Sequence, residues 1–176
     1  MPAFKKSEED VKRDVARLKS HIERLKETAK ERGRAFASLP EEHLIKKVRG
    51  ETAKSPFMYA QSWTSGSVPG ANANITIYLH NPDPVGYFPF YVSIFFGLGS
   101  LTDIGEAWDG RDTRYPAISS ARADFLPNTD QSFSFDYVIP TGVPLGLYNG
   151  NSVVWVGDWF GAGTVFDRGS FDLQLT

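Results

Sequence analysis

The chain has 176 residues, with 19 Lys and Arg against 21 Asp and Glu, and no cysteine, which excludes disulfides and thiolate metal sites. The near-neutral total hides two unlike parts: residues 1–54 hold 15 of the basic and 10 of the acidic residues, a net of +5, whereas residues 55–176 hold 4 Arg, no Lys and 11 acids, a net of −7. No apolar run approaches the roughly 20 residues of a membrane span, and the first residues lead into charge rather than a signal-peptide core, so no membrane span is expected and the compartment is unknown, soluble and cytoplasmic by default.

In the front segment, Val11, Val15, Leu18, Ile22, Leu25 and Ala29 repeat at spacings of 4, 3, 4, 3 and 4. This is a heptad seam with Val15 and Ile22 at a and Leu18 and Leu25 at d, and β-branched a with Leu at d favours a parallel two-stranded coil. Ser7 with Asp10 three residues later resembles a capping box and starts the helix at about Glu8. Gly33 interrupts the pattern, and Ser38-Leu39-Pro40-Glu41 reads as a second cap, with Pro40 first in a short helix that ends at Gly50. The seam predicts a homo-oligomer, with a dimer favoured, through Val15, Leu18, Ile22 and Leu25; packing of the helix on its own β domain is the alternative. Acids are interleaved throughout, so nucleic acid is not an expected partner.

Residues 55–176 read as a β domain large enough to bury its own core. Its centre is the pair Ala73–His80 and Tyr87–Phe96, separated by N-P-D-P-V-G, which cannot extend a sheet. The first places Ile75, Ile77 and Leu79 on one face; the second does the same with Phe88, Phe90, Val92, Ile94 and Phe96. A strand at Phe57–Trp63 precedes them. Ile118–Phe125, Ser132–Ile139, Tyr148–Gly157 and a last strand with Phe171, Leu173 and Leu175 inward follow. Seven short strands with turn signals between them predict a mainly β, antiparallel sandwich carrying an N-terminal α-helical, coiled-coil-like segment.

N-P-D-P after the second strand, L-P-N before the fifth, and I-P-T-G-V-P-L-G-L-Y from Ile139 to Tyr148 resemble the bacterial immunoglobulin-like accessory domains of the cell-adhesion-related type. The resemblance covers residues 57–176. It implies a seven-stranded immunoglobulin-like sandwich used for binding or spacing.

Chemistry is sparse. The three histidines are scattered, and no G-x-S-x-G, H-E-x-x-H, P-loop or dinucleotide glycine pattern occurs, so neither enzyme activity nor a cofactor nor a metal is expected. The long Gly97–Pro116 stretch collects Asp103, Glu106, Trp108, Asp109, Asp112 and Tyr115, carboxylates and rings that form a candidate ligand loop for a glycan. Arg111 and Arg114 neutralise part of that charge. Parity along the third and sixth strands sets Tyr91, Phe95, Val153 and Trp155 on one outer face, a candidate interaction surface covered by the helical segment or by a second copy, with another protein as a further partner. The reading is a non-catalytic, homo-oligomeric binding or structural module. The alternative is a carbohydrate-recognising or carbohydrate-cleaving sandwich that uses the 103–115 loop.

Overall fold

The Asp10 N–H donates to the Ser7 hydroxyl at 3.1 Å, and from that cap helix α1 runs Glu8–Glu31, with Glu8, Glu9 and Asp10 against the positive end of its dipole. Gly33, at φ 64°, takes the left-handed conformation that ends it. The computed structural model describes residues 6–50, 56–98, 117–139, 141–142, 145–156 and 164–176. After α1 come β1 (Arg34–Ser38), α2 (Glu41–Val48), β2 (Phe57–Thr64), β3 (Gly66–Ser67), β4 (Asn72–Asn81) and β5 (Tyr87–Leu98). Then follow β6 (Ala117–Phe125), β7 (Thr129–Val138), β8 (Gly146–Val156) and β9 (Thr164–Leu175). Pro40 caps α2 from outside, with no side-chain hydrogen bond, so the expected serine cap is absent and Ser38 instead ends β1.

The strands form two sheets, β1-β2-β4-β7 and β3-β9-β8-β5-β6. With β2, β4, β5, β7, β8 and β9 as strands A, B, C, E, F and G, this is the immunoglobulin-like partition, A-B-E against G-F-C, with β6 beside C. The expected count of seven is corrected to nine among the described residues: β1 arises inside the segment read as helical, and β3 is a two-residue contact that pairs with β9 in parallel, so the sheets are not wholly antiparallel. β1 escaped detection because it is five residues long, carries one large apolar residue, Phe36, and sits between two helices.

Between the sheets lies a core of Met58, Ile75, Ile77, Leu79, Val92, Phe125, Phe135 and Phe171. The β4 alternation holds as read: Ile75, Ile77 and Leu79 are buried, while Thr76 and Tyr78 face the other way. Phe171, Leu173 and Leu175 are likewise buried and Asp172 and Gln174 exposed.

A second core forms on the far side of the four-stranded sheet. Val11, Val15, Leu18 and Ile22 of α1 and Leu44 and Val48 of α2 pack there on Phe57, Tyr59 and Ala60. A bulge in β2 makes this fit. Met58 pairs with Leu79 and Ala60 with Tyr78, so Tyr59 is the extra residue, and both Tyr59 and Ala60 turn to the helices while Met58 faces the other sheet. The seam expected to meet a second copy is therefore covered within the chain, with Leu25 packed at its margin. Its a and d residues need only an apolar surface of matching width, and the bulged β2 supplies one. The front segment accordingly adds a third layer and an edge strand to the sandwich.

Leu18 is fully buried in this layer. Leu18→Ala should cost about 2–5 kcal/mol in urea unfolding, with no change of mass by light scattering that precedes unfolding. A seam between copies would show the reverse, a drop in mass with the folded subunit retained.

Candidate functional site

α1 lies over the polar face of β4, so His80 is buried and Asn74, Thr76 and Tyr78 are half-buried, while Ser132, Ser134 and Asp136 on β7 stay exposed. The cross-strand partners on this face are Asn74 with Asp136, Thr76 with Ser134, Tyr78 with Ser132 and His80 with Asp130. Each is polar, and those that the helix buries, His80 above all, must find partners.

At one end, beneath the first half of α1, His80 is buried at 1% exposure. Its Nδ1 meets Asp130 Oδ1 at 2.5 Å, and Asp130 is also gripped by the Arg17 guanidinium at 2.5 and 3.2 Å. Nε2 has no hydrogen-bond partner; Asp14 Oδ2 stands 3.8 Å away, an ion-pair distance, and is itself held by Lys6 Nζ at 2.6 Å. Burial alone would lower the His80 pKa, but its contacts with Asp130 and Asp14 outweigh that and raise it. Burial works against ionised Asp14 and Asp130 too, yet His80 and the neighbouring cations hold Asp14 down at about 2 and Asp130 well below the usual carboxylate range. Halfway along the helix, His21 Nδ1 and Tyr59 Oη are 2.8 Å apart, and burial lowers the His21 pKa and raises that of Tyr59.

At the other end, the second half of α1 roofs a cavity of about 320 Å³. Leu25, Thr28, Ala29 and Arg32 form its roof, and Arg34, Ser62, Asn74, Thr76, Tyr78 and Ser134 its floor and wall. The floor is internally braced. Arg34 Nε donates to Ser62 Oγ at 2.9 Å and Nη2 to Asn74 Oδ1 at 2.9 Å, and Asn74 Nδ2 donates to Ser134 Oγ and Asp136 Oδ1, each at 2.9 Å. Among the described residues no group of three or more His, Asp or Glu is placed to hold a metal ion. No described helix is long and apolar enough to cross a membrane.

The sequence-derived site residues fall elsewhere. Asp103, Glu106, Trp108, Asp109, Asp112 and Tyr115 lie outside the described residues. Val15, Leu18, Ile22 and Leu25 line the intramolecular core rather than a site. β5 and β8 are neighbours, with Tyr91 opposite Trp155 and Ser93 opposite Val153; the side chains of Tyr91, Phe95, Val153 and Trp155 lie outside the described residues. What the sequence reading missed is Arg34 with the run Asn74, Thr76, Tyr78 and His80. The signal is present, because these residues alternate with Ile75, Ile77 and Leu79, but alternation alone does not tell a polar face left in water from one covered by a helix.

No family model matches the chain, and no curated protein matches it. Among solved structures, the C-terminal domain of Wzt superposes with a TM-score of 0.51 at 11% identity, over 81% of this chain and 78% of that one. A Niemann-Pick type C2 protein from Japanese carpenter ant gives 0.49 at 6% identity, over 81% and 99%. The CARDB domain of the PF1109 protein from Pyrococcus furiosus gives 0.44 at 12% identity, over 65% and 87%. At these identities the likeness is one of fold. The strand order above, with the fold-level likeness to the Wzt domain, defines the class: a β-sandwich domain with immunoglobulin-like topology, here covered on one sheet by a helical layer.

The charge cluster predicts a pH signature. His80, with its pKa raised above 6.5, contributes stability that is complete below pH 6.5 and lost as pH rises through its folded value; Asp14 and Asp130, lowered from 3.8, contribute stability above pH 3.8 that is lost in stronger acid. His21, lowered from 6.5, acts in the opposite sense to His80, its contribution fading as pH falls below 6.5. His80→Asn should therefore destabilise by about 1–3 kcal/mol between pH 4 and 6.5, and by progressively less above it, in denaturant unfolding across pH; a pH-independent loss would show that the cluster's charge does not matter.

Proposed function

We propose that this protein is a non-catalytic binding module, an immunoglobulin-like sandwich whose helical layer roofs a small-ligand site on one sheet and whose other sheet meets a second copy of the chain. The observation that carries the reading is the 320 Å³ cavity, enclosed on one side by α1 and on the other by a braced polar floor. Its position between two structural layers, with a few fixed polar groups converging on it, is that of a ligand pocket. Among the described residues, the cluster of Asp14, His80 and Asp130 is held together beneath the first half of α1 and does not line the cavity. For assembly, the heptad seam is occupied within the chain, and the proposed contact between copies is instead the β5 and β8 face, where Tyr91 and Trp155 are register partners.

Ligand-observed NMR on the full chain against a mixture of small polar metabolites should return binders that are lost with Thr28→Trp, a substitution at the exposed lip of the roof that fills the opening without entering the core. Binders that survive Thr28→Trp would remove the cavity from the reading. Light scattering on the same samples should show an oligomer that Trp155→Ala weakens while circular dichroism is unchanged.

A further inference from the structure

We infer that the cavity beneath α1 takes a small hydroxylated anion, a single sugar ring bearing a carboxylate or a phosphate; this rests on the cavity being the binding site. Two arginines, Arg32 and Arg34, line it, and no Asp or Glu does. Neither makes an ion pair among the described residues. Asp136, the carboxylate whose pKa Arg34 helps to lower, is engaged by the amides of Asn72 and Asn74. Arg17 and Lys47, by contrast, are paired with Asp130 and Asp167. Two cations facing one cavity that no carboxylate lines suit an external anion.

Arg34 is also pre-oriented. Its Nε and Nη2 are fixed on Ser62 and Asn74, and its Nη1 is without a hydrogen bond among the described residues. A guanidinium locked by two of its nitrogens loses little freedom when the third meets a carboxylate or phosphate oxygen. Around it stand the hydroxyls of Thr28, Thr76, Tyr78 and Ser134, which both donate and accept and so match ligand hydroxyls rather than an apolar body. The Tyr78 ring and Leu25 add an apolar flank against which a sugar ring can lie. The volume sits at the low end of ligand pockets, about 300–1,000 Å³, which suits one ring and not an oligosaccharide.

Calorimetric titration of the full chain with glucuronate, glucose 6-phosphate, glucose and inorganic phosphate tests this. Both anionic sugars should bind, glucose and phosphate about tenfold or more weakly, since a charge-assisted hydrogen bond separates them. Arg34→Met should erase the preference for the anionic sugars. Because Arg34 also braces the floor, Arg32→Gln, at an exposed position whose side chain makes no hydrogen bond among the described residues, serves as the second variant and should weaken the anionic sugars alone. Glucose binding as tightly as glucuronate, and lost on Thr28→Trp, would overturn the anion assignment and leave the binding module standing. Phosphate binding as tightly as glucose 6-phosphate would overturn the sugar. No binding of any of the four probes would overturn the proposal outright, while metabolite binding blocked by Thr28→Trp would still uphold the cavity as a site.

Discussion

The docking of α1 on β2 is the contact on which the rest of the structure depends. Val11, Val15, Leu18 and Ile22 are nearly dry, and a fully buried side chain of this kind contributes about 1.5–3 kcal/mol, so the layer is held by apolar area before any charge is considered. β2 is thereby buried on both faces: Phe57, Tyr59 and Ala60 belong to the helix side, and Met58 to the sandwich core. An extra residue at Tyr59 lets one strand serve two cores that a strict two-residue period would not align.

Once that helix lies over the sheet, the polar face of β4 must be satisfied in place. His80 does so by bridging toward acids from two segments, Asp130 on β7 and Asp14 on α1, with Arg17 and Lys6 completing the balance. The same logic fixes α2, whose Lys47 reaches Asp167 on β9 at 2.8 Å while Asp167 also accepts the Met58 N–H at 2.7 Å. The opposite charges of the front and rear parts are thus partly the two sides of one interface. Apolar burial sets the position of the helical layer, and these pairs set its register, because a misplaced helix would leave buried charges without partners.

The cavity follows from the same docking. Along the second half of α1 the large seam residues give way to Ala29 and Thr28, and the floor opposite carries short hydroxyls and Asn74, so helix and sheet stay apart where earlier they interlock. An immunoglobulin-like sandwich has no inherent site on the outer face of its A-B-E sheet. Here the added helix roofs a cavity there.

Much of the architecture was written locally. The alternation of Ile75, Ile77 and Leu79, the capped start at Ser7, the glycine stops at Gly33 and Gly50, and the turn-bounded strands all follow from periodicity and backbone chemistry, which act over a few residues. The heptad seam was equally legible as a surface needing cover, but what covers it depends on shape at a distance, and a bulged strand about 40 residues further on met the need that a second copy would also have met. The short edge strand β1, the convergence of His80, Asp14 and Asp130, and the cavity floor built from Arg34 and Asn74 share one cause: each is made of residues unremarkable in their own neighbourhood and joined across 22 to 66 positions. Gly150 is the clearest case, since nothing beside it in the chain requires glycine, yet a Cβ there would stand 2.2 Å from the Phe171 ring across the sheet. Local sequence determined which faces were apolar and where the chain must turn; the packing of those faces decided which polar groups would be shut in together, and so where a site could exist.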